Sequence, residues 1–355
     1  MFTSELDYDL PDERIAQRPL AERDGARMLV CGEPLEDAWV RDFPERVPPG
    51  ALVVLNDSRV MQARLLGNRV RTGGRVEILL LEPEAEGGDG TGGKQRWQAL
   101  VRSSGRLAEG TEVRVGSRVL RIAERGEAGT RWVEVPGNAW ELLEREGHVP
   151  LPPYVRRPDD THDRERYQTV FARHLGSAAA PTAGLHVTQP MLARLEARGV
   201  DLGFVTLHVG AGTFRPVTAE RLDQHAMHSE CYTVSDALAR RVEESKRGGR
   251  PIVAVGTTVV RALESAALAH EAEGEAPGTG IASGTRRTRL MVAPGYQFRV
   301  VDALLTNFHA PRSTLLALVC ALAGTSRVLG AYAEAVRRGY RFLSYGDAMW
   351  IPQRS

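Results

Sequence analysis

The sequence has 355 residues, 42% of them hydrophobic, with 46 Lys and Arg against 45 Asp and Glu and a formal net charge of +1. That length suits two or three domains or one large α/β unit, and the balanced charge excludes a uniformly basic coat, so a nucleic-acid partner has to be met by a local patch. No apolar run would span a bilayer and the N-terminus is acidic rather than signal-like; Cys31, Cys231 and Cys320 lie too far apart for a disulfide framework or a thiolate zinc site, so a cytoplasmic protein is expected.

In chain order, ALVVL (51–55) reads as a short buried strand that ends in the polar turn Asn56, Asp57, Ser58, Arg59. Between about 64 and 135 the texture changes to short pieces, RVEILLLEP, RWQALVRS, TEVRV, RVLRIAE and TRWVEV, that alternate apolar with polar residues between close turns, as in a small antiparallel barrel or sandwich. EAEGGDGTGGK (84–94) reads as a hairpin tip. NAWELLERE reads as a helix closing at Gly147, and the proline-rich HVPLPPYVRRP (148–158) as a stiff connector. This places an inserted domain at 62–150 between two parts, 1–61 and 151–355, of a larger one.

From Ala179 onward, strand-like and helical runs take turns. GLHVT precedes a helix that Thr188 could cap and Gly199 could end; FVTLHV and PIVAV read as strands; SDALARRVEESKRGG, VVRALESAALAHEAE and STLLALVCALAG read as helices. HEAEGEAPGTGIASGTRRT reads as a mobile excursion. The expected fold class is α/β: a large α/β domain with a parallel or mixed sheet, or a barrel-like core, plus an inserted small antiparallel β-barrel domain.

Ligands of such folds collect at the carboxyl ends of strands, and four polar clusters fall there: NDSR after ALVVL, GAGTF after VTLHV, GTTVVR after PIVAV and NFHAPRST after ALLT. The loop Gly210-Ala211-Gly212 is not a dinucleotide fingerprint, because Arg215 stands where the third glycine belongs and Pro216 interrupts the helix that should follow. There is no GxxxxGK[ST] either. His225 and His228 have a spacing that can chelate on one helical turn, but HExxH and clustered acidic ligands are missing, so no metal is expected. The bare loop could instead let a substrate lie on backbone, with His208, Thr213 and Glu230 as polar contacts and the helix start at Thr257 and Thr258 offering N–H donors to a carboxylate or phosphate. Each residue also has a plain structural reading; a lone histidine on a strand is more often a core residue than a ligand.

Whole phrases point further. APTAGLHVT (180–188), LHVGAGTFRPV (207–217), MHSE (227–230), VGTTVVRALES (255–265), TNFHAPRSTL (306–315) and YRFLSYGDAM (340–349) occur in order after DYDLP (7–11), RIAQRP (14–19), LNDSRV (55–60), PLPPYVRR (150–157) and RYQTVFA (166–172). With these the chain resembles the S-adenosylmethionine:tRNA ribosyltransferase-isomerase family of the queuosine pathway. It departs from that family's pattern at Arg289 in TRLMVAPGYQF (288–298), where an acidic or amide residue is expected, and in the Gly-rich stretches 86–93 and 271–287.

The resemblance implies an α/β domain with an inserted barrel. It also implies that S-adenosylmethionine is a ribosyl donor to 7-aminomethyl-7-deazaguanine at the wobble position of tRNA, giving epoxyqueuosine, adenine and methionine. A base is then needed near the 5′ carbon beside the sulfonium and an acid near adenine. His186, His208, His228 and His309 are the candidates, with Asp57 and Glu230 as carboxylates that orient a histidine or protonate adenine. Arg59 and Arg261 could grip the methionine carboxylate, and Phe214 or Phe308 could stack on adenine or face the sulfonium. Thr182, Gly210, Gly212, Thr213, Thr257, Thr258 and Asn307 complete the expected substrate contacts. Arg156, Arg157, Arg337, Arg338 and Arg341 are the expected tRNA phosphate contacts, on a chain expected to act as a monomer with no membrane partner.

Overall fold

The computed structural model describes residues 1–84, 93–210 and 217–354. At its centre four parallel strands lie side by side in the order Asp201–Leu207, Leu52–Asn56, Ile252–Val255, Ala303–Asn307. Further strands extend both flanks: Glu230–Val234 and then Gly284–Thr288, both antiparallel to their neighbours, on one side; on the other, Ala348–Ile351, antiparallel, then Arg27–Val30 parallel to it and Glu36–Trp39 antiparallel again. The result is a mixed nine-stranded sheet.

Every residue of Leu52–Asn56 is buried. Leu52 and Val54 enter one apolar core, packed by the helices Asp236–Arg247, Thr257–Ala272, Thr314–Ala323 and Thr325–Arg337; Val53 and Leu55 enter the other, packed chiefly by Gln189–Ala197. Alternate side chains feeding opposite cores are what a continuous apolar strand needs when both faces of its sheet are covered. Helix starts follow the sequence closely: Thr188, Ser235 and Ser313 each accept a backbone N–H of the first turn on their side-chain oxygen.

Between strands Leu52–Asn56 and Asp201–Leu207, the chain makes a closed six-stranded antiparallel barrel from Arg64–Arg69, Arg75–Pro83, Lys94–Ser103, Glu112–Val115, Arg118–Arg125 and Arg131–Pro136. Its core is Trp97 with Leu65, Ile78, Leu80, Val113, Leu120, Ile122 and Val133, the inward positions of the alternating pattern. The helix Ala139–Glu146, capped by Asn138, covers the barrel, and the chain then runs without regular structure through 149–160.

Two readings are corrected. GLHV is not a strand: Thr182–His186 forms a buried 3-10 turn behind Pro181. Part of the stretch read as a mobile excursion is ordered, because Gly284–Thr288 pairs residue for residue with Glu230–Val234 at the sheet edge. The hairpin tip 85–92 lies outside the described residues.

Candidate active site

The four parallel strands end side by side, and Asn56 ties three of those ends together. Its Oδ1 accepts the N–H groups of Leu207 and Ser58, both at 3.1 Å, and its Nδ2 donates to the Leu207 carbonyl at 3.0 Å and to Thr258 Oγ1 at 3.3 Å. A side-chain amide can substitute for a strand's own donor and acceptor, which is why an asparagine rather than an apolar residue ends this strand.

Asp57 follows, buried, with Oδ1 accepting the Thr206 hydroxyl at 2.7 Å and Oδ2 at 3.6 Å from Nε2 of His174. His208 lies against Gly176, where a Cβ would stand 2.8 Å from its Cε1; at φ +148° that position also favours glycine. Burial, then neighbouring His174, push the His208 pKa down, opposed by Asp57. His208 opens on a cavity of about 960 Å³ between sheet and barrel, with Gly210, His228 and Glu230 on the sheet side and Trp97, Gln98 and Trp140 on the barrel side. The two tryptophan rings meet edge to face at 5.1 Å. Two ion pairs join the domains at this cavity: Arg287 grips Glu82 with both Nη atoms at 3.0 and 2.9 Å, and Arg289 reaches Glu127 at 3.1 Å.

A second cavity of about 500 Å³ is lined by Thr182, Thr257, Thr258, Asn307 and His309, with Tyr154 and Ser344. The helix Thr257–Ala272 begins there behind Gly256, at φ +97° and with no side-chain cap, so its first amides remain as donors. Val209 lines both cavities.

Glu230 and Arg261 hold the loop between them. Glu230 Oε1 accepts the Gly210 N–H at 3.1 Å, its Oε2 accepts from Arg261 Nη1, and Arg261 Nε donates to the Leu290 carbonyl at 3.1 Å. Arg261 does not face solvent: it is buried and holds Glu230 through Nη1, while its Nη2 has no hydrogen-bond partner among the described residues.

His186 and His309 are buried, and burial lowers their pKa values to about 4 and about 3. His186 Nε2 lies 3.1 Å from Asn307 Nδ2, which also donates to the Leu343 carbonyl at 3.2 Å; His309 Nε2 lies 2.9 Å from Thr306 Oγ1. Both rings are neutral at pH 7, and His186 lines neither cavity.

Other expected contacts fall elsewhere. Phe308 is the exception: it borders the smaller cavity, though its ring is fully buried against Tyr332, Tyr340 and Phe342, with centroids 5.1, 5.5 and 4.9 Å away. Arg59 is exposed on the strand Ser58–Val60 and lines neither cavity. Gly212, Thr213 and Phe214 lie outside the described residues. No helix runs through 225–228, so His225 and His228 are not one turn apart, and among the described residues no three His, Cys, Asp or Glu side chains gather as metal ligands. The five arginines expected at tRNA have protein partners: Arg156 with Asp12 (2.7 and 3.0 Å), Arg157 with Asp163 (2.6 and 2.8 Å), Arg337 with Glu334 (2.7 and 2.6 Å), Arg338 with Glu334 (2.6 Å) and Asp37 (2.7 Å), and Arg341 with the Arg18 carbonyl.

Sequence reasoning missed His174, Gly176, Trp97 and Trp140. The strand pattern of RWQALVRS marks Trp97 as barrel core, and nothing local says that the barrel's core edge faces a second domain. For His174 and Gly176 the only signal is adjacency to the RYQTVFA phrase.

A sheet that gathers imidazole and carboxylate groups in two cavities at its strand ends is organised as α/β enzymes are. The family model described as queuosine biosynthesis protein matches residues 3–351. An S-adenosylmethionine:tRNA ribosyltransferase-isomerase of Anaeromyxobacter dehalogenans (strain 2CP-C) is 50% identical over 362 residues, covering 100% of both chains. Its counterpart from Sorangium cellulosum (strain So ce56) is 48% identical, covering 98% of this chain and 97% of that one. The crystal structure of an S-adenosylmethionine tRNA ribosyltransferase from Thermotoga maritima aligns with a TM-score of 0.53 at 35% identity, covering 98% and 100% of the two chains. The chain belongs to the queuosine biosynthesis protein family.

Proposed function

We propose that this chain is an S-adenosylmethionine:tRNA ribosyltransferase-isomerase that moves the ribosyl part of S-adenosylmethionine onto 7-aminomethyl-7-deazaguanine at the tRNA wobble position, releasing adenine and methionine and leaving epoxyqueuosine. Full-length relatives bear that name. The single observation that carries the reading is the pair of cavities meeting at Val209. The smaller, about 500 Å³, has the size of a site for one nucleoside-sized ligand. The larger, with two tryptophans in its wall, suits a base drawn out of the anticodon stack.

In this reading the sulfonium acidifies the 5′ protons. A base removes one, electrons expel adenine, the aminomethyl nitrogen attacks, and methionine leaves as the epoxide closes. His208, beside the junction and tuned by Asp57 and His174, is the base. His309, neutral, contributes hydrogen bonding rather than a proton. The amides of Thr257 and Thr258 face the donor, and Glu230 with Arg261 holds residues 208–210 in place. Residues 1–61 and 151–355 form the catalytic domain and 62–150 the inserted one. The reading takes the protein to act as a cytoplasmic monomer.

Incubation with S-adenosylmethionine and tRNA bearing the aminomethyl base should release free adenine. His208→Gln, with an unchanged Tm, should slow that release by about 100-fold or more, the scale of general-base catalysis. Methyl transfer to RNA, or no adenine from the folded wild type, defeats the assignment.

A further inference from the structure

A cluster of arginines without carboxylate partners among the described residues lies at one end of the barrel, apart from the five expected at tRNA. Segments 66–75 and 102–114 of the barrel carry Arg69, Arg71, Arg75, Arg102, Arg106 and Arg114 against only Glu109 and Glu112. Strand register brings them together: Asn68 stands opposite both Arg75 and Arg114, and Val76 opposite Ser103. Arg69 Nη2 then staples the first turn to the second loop, donating to Ser103 Oγ and the Gly105 carbonyl, both at 2.8 Å. Among the described residues none of the six arginines forms an ion pair, and five are exposed. Leu66 and Val70, 48% and 41% exposed, lie in the same stretch.

The patch continues into the site. Leu66 and Arg102 line a groove of about 500 Å³ between the barrel wall and the proline-rich connector. That groove shares Ala178 with the larger cavity and Pro153 with the smaller one. An RNA held at the barrel would reach both cavities without crossing the paired surface around Arg337 and Arg338.

We infer that this arginine-rich end of the inserted barrel is the surface that grips the phosphate backbone of the tRNA, delivering the anticodon through the connector groove; this rests on the function proposed above. An arginine already matched by a carboxylate adds little net potential, whereas an unpaired one replaces a phosphate's counterion and makes affinity fall with salt. Exposed Leu66 and Val70 offer apolar contact to sugar faces that the charges alone do not.

The test compares tRNA binding of wild type, of Arg71→Ser/Arg75→Ser/Arg106→Ser and of Arg337→Ser/Arg338→Ser over a salt series, with Tm and S-adenosylmethionine binding measured on each. The barrel triple should bind tRNA at least about tenfold more weakly, and its log–log salt slope should be shallower by about three, one per arginine. S-adenosylmethionine affinity and Tm should stay at wild-type values. A wild-type slope in the triple, or the same loss in the Arg337/Arg338 pair instead, overturns the assignment. Should the triple lose Tm, Arg71→Gln alone should still lower the slope by about one, and no change there overturns it equally. Wild-type protein that binds no tRNA, or releases no adenine, strikes the proposed function rather than the choice of surface.

Discussion

His186 and His309 show how burial converts a reactive side chain into a structural one. His309 follows a strand end and His186 closes a 3-10 turn, yet each is enclosed, with a pKa of about 4 for His186 and about 3 for His309 against 6.5 in the open chain. Folded, both stay neutral; unfolded, both take up protons as the pH drops below about 6.5. Their contribution is therefore lost as pH falls through 6.5, and the loss is complete only at the folded values. Between pH 6.5 and 5 this amounts to roughly 2 kcal/mol for each ring. Urea denaturation at those two pH values should show the decline, and His309→Gln should flatten it; an equally steep decline in that variant would count against the assignment. His208 differs because its ring is only partly buried and Asp57 counteracts the loss of solvent. A histidine in a strand-end motif is legible in the sequence, but its exposure, and hence its chemistry, is not.

At the scale of elements, the helix Thr257–Ala272 bears most on the site. From Thr257 through Ala267 it is buried without a break, so it packs on every side, as a helix apolar all round must. Two charged side chains are buried in it, Arg261, bound to Glu230, and Glu264, which is fully enclosed. Its Oε1 accepts the N–H groups of Val300 and Val301 at 3.0 and 2.9 Å, and its Oε2 accepts the Arg299 N–H at 2.9 Å and the Tyr296 hydroxyl at 3.1 Å. One carboxylate thus closes the loop before strand Ala303–Asn307 onto the helix whose start faces the smaller cavity. Glu264→Gln sets an amide N–H group against backbone N–H groups and should cost about 2–4 kcal/mol in chemical denaturation. A loss below about 0.5 kcal/mol would show that the loop is held by something else. The VRALES phrase was readable as helix, but its glutamate as a loop anchor was not, since the four donors come from residues more than thirty positions on.

Across the whole molecule, barrel and sheet meet through the pairs Arg287–Glu82 and Arg289–Glu127, both bordering the larger cavity. Arg289 has its partner in the barrel. These pairs are largely solvent-exposed, 49%/42% and 64%/83%, so each adds at most about 1 kcal/mol to stability. Their position gives them more leverage on substrate entry. Glu82→Gln/Glu127→Gln should leave Tm within about 2 °C while changing the KM for tRNA in the adenine-release assay. A large fall in Tm with unaltered KM would make the pairs structural braces instead.

The chain's own pattern determined a good deal. Apolar runs that fill both sheet faces, two-residue alternation across the barrel, and Ser or Thr before helix starts are local consequences of burial and hydrogen bonding, so ALVVL, RWQALVRS and STLLALVCALAG announced their elements. The strand-end rule likewise gathered Asp57, His208, Thr257 and Asn307 at one edge before any coordinates. Only the tertiary structure decided that His208 opens on one cavity and Thr257 and Asn307 on the other, that Arg261 is bound to Glu230, and that four of the five foreseen tRNA arginines are matched by carboxylates while, among the described residues, six at one end of the barrel are not. Pairing and exposure depend on which distant segments meet, and a residue's identity and its immediate neighbours along the chain carry no record of that.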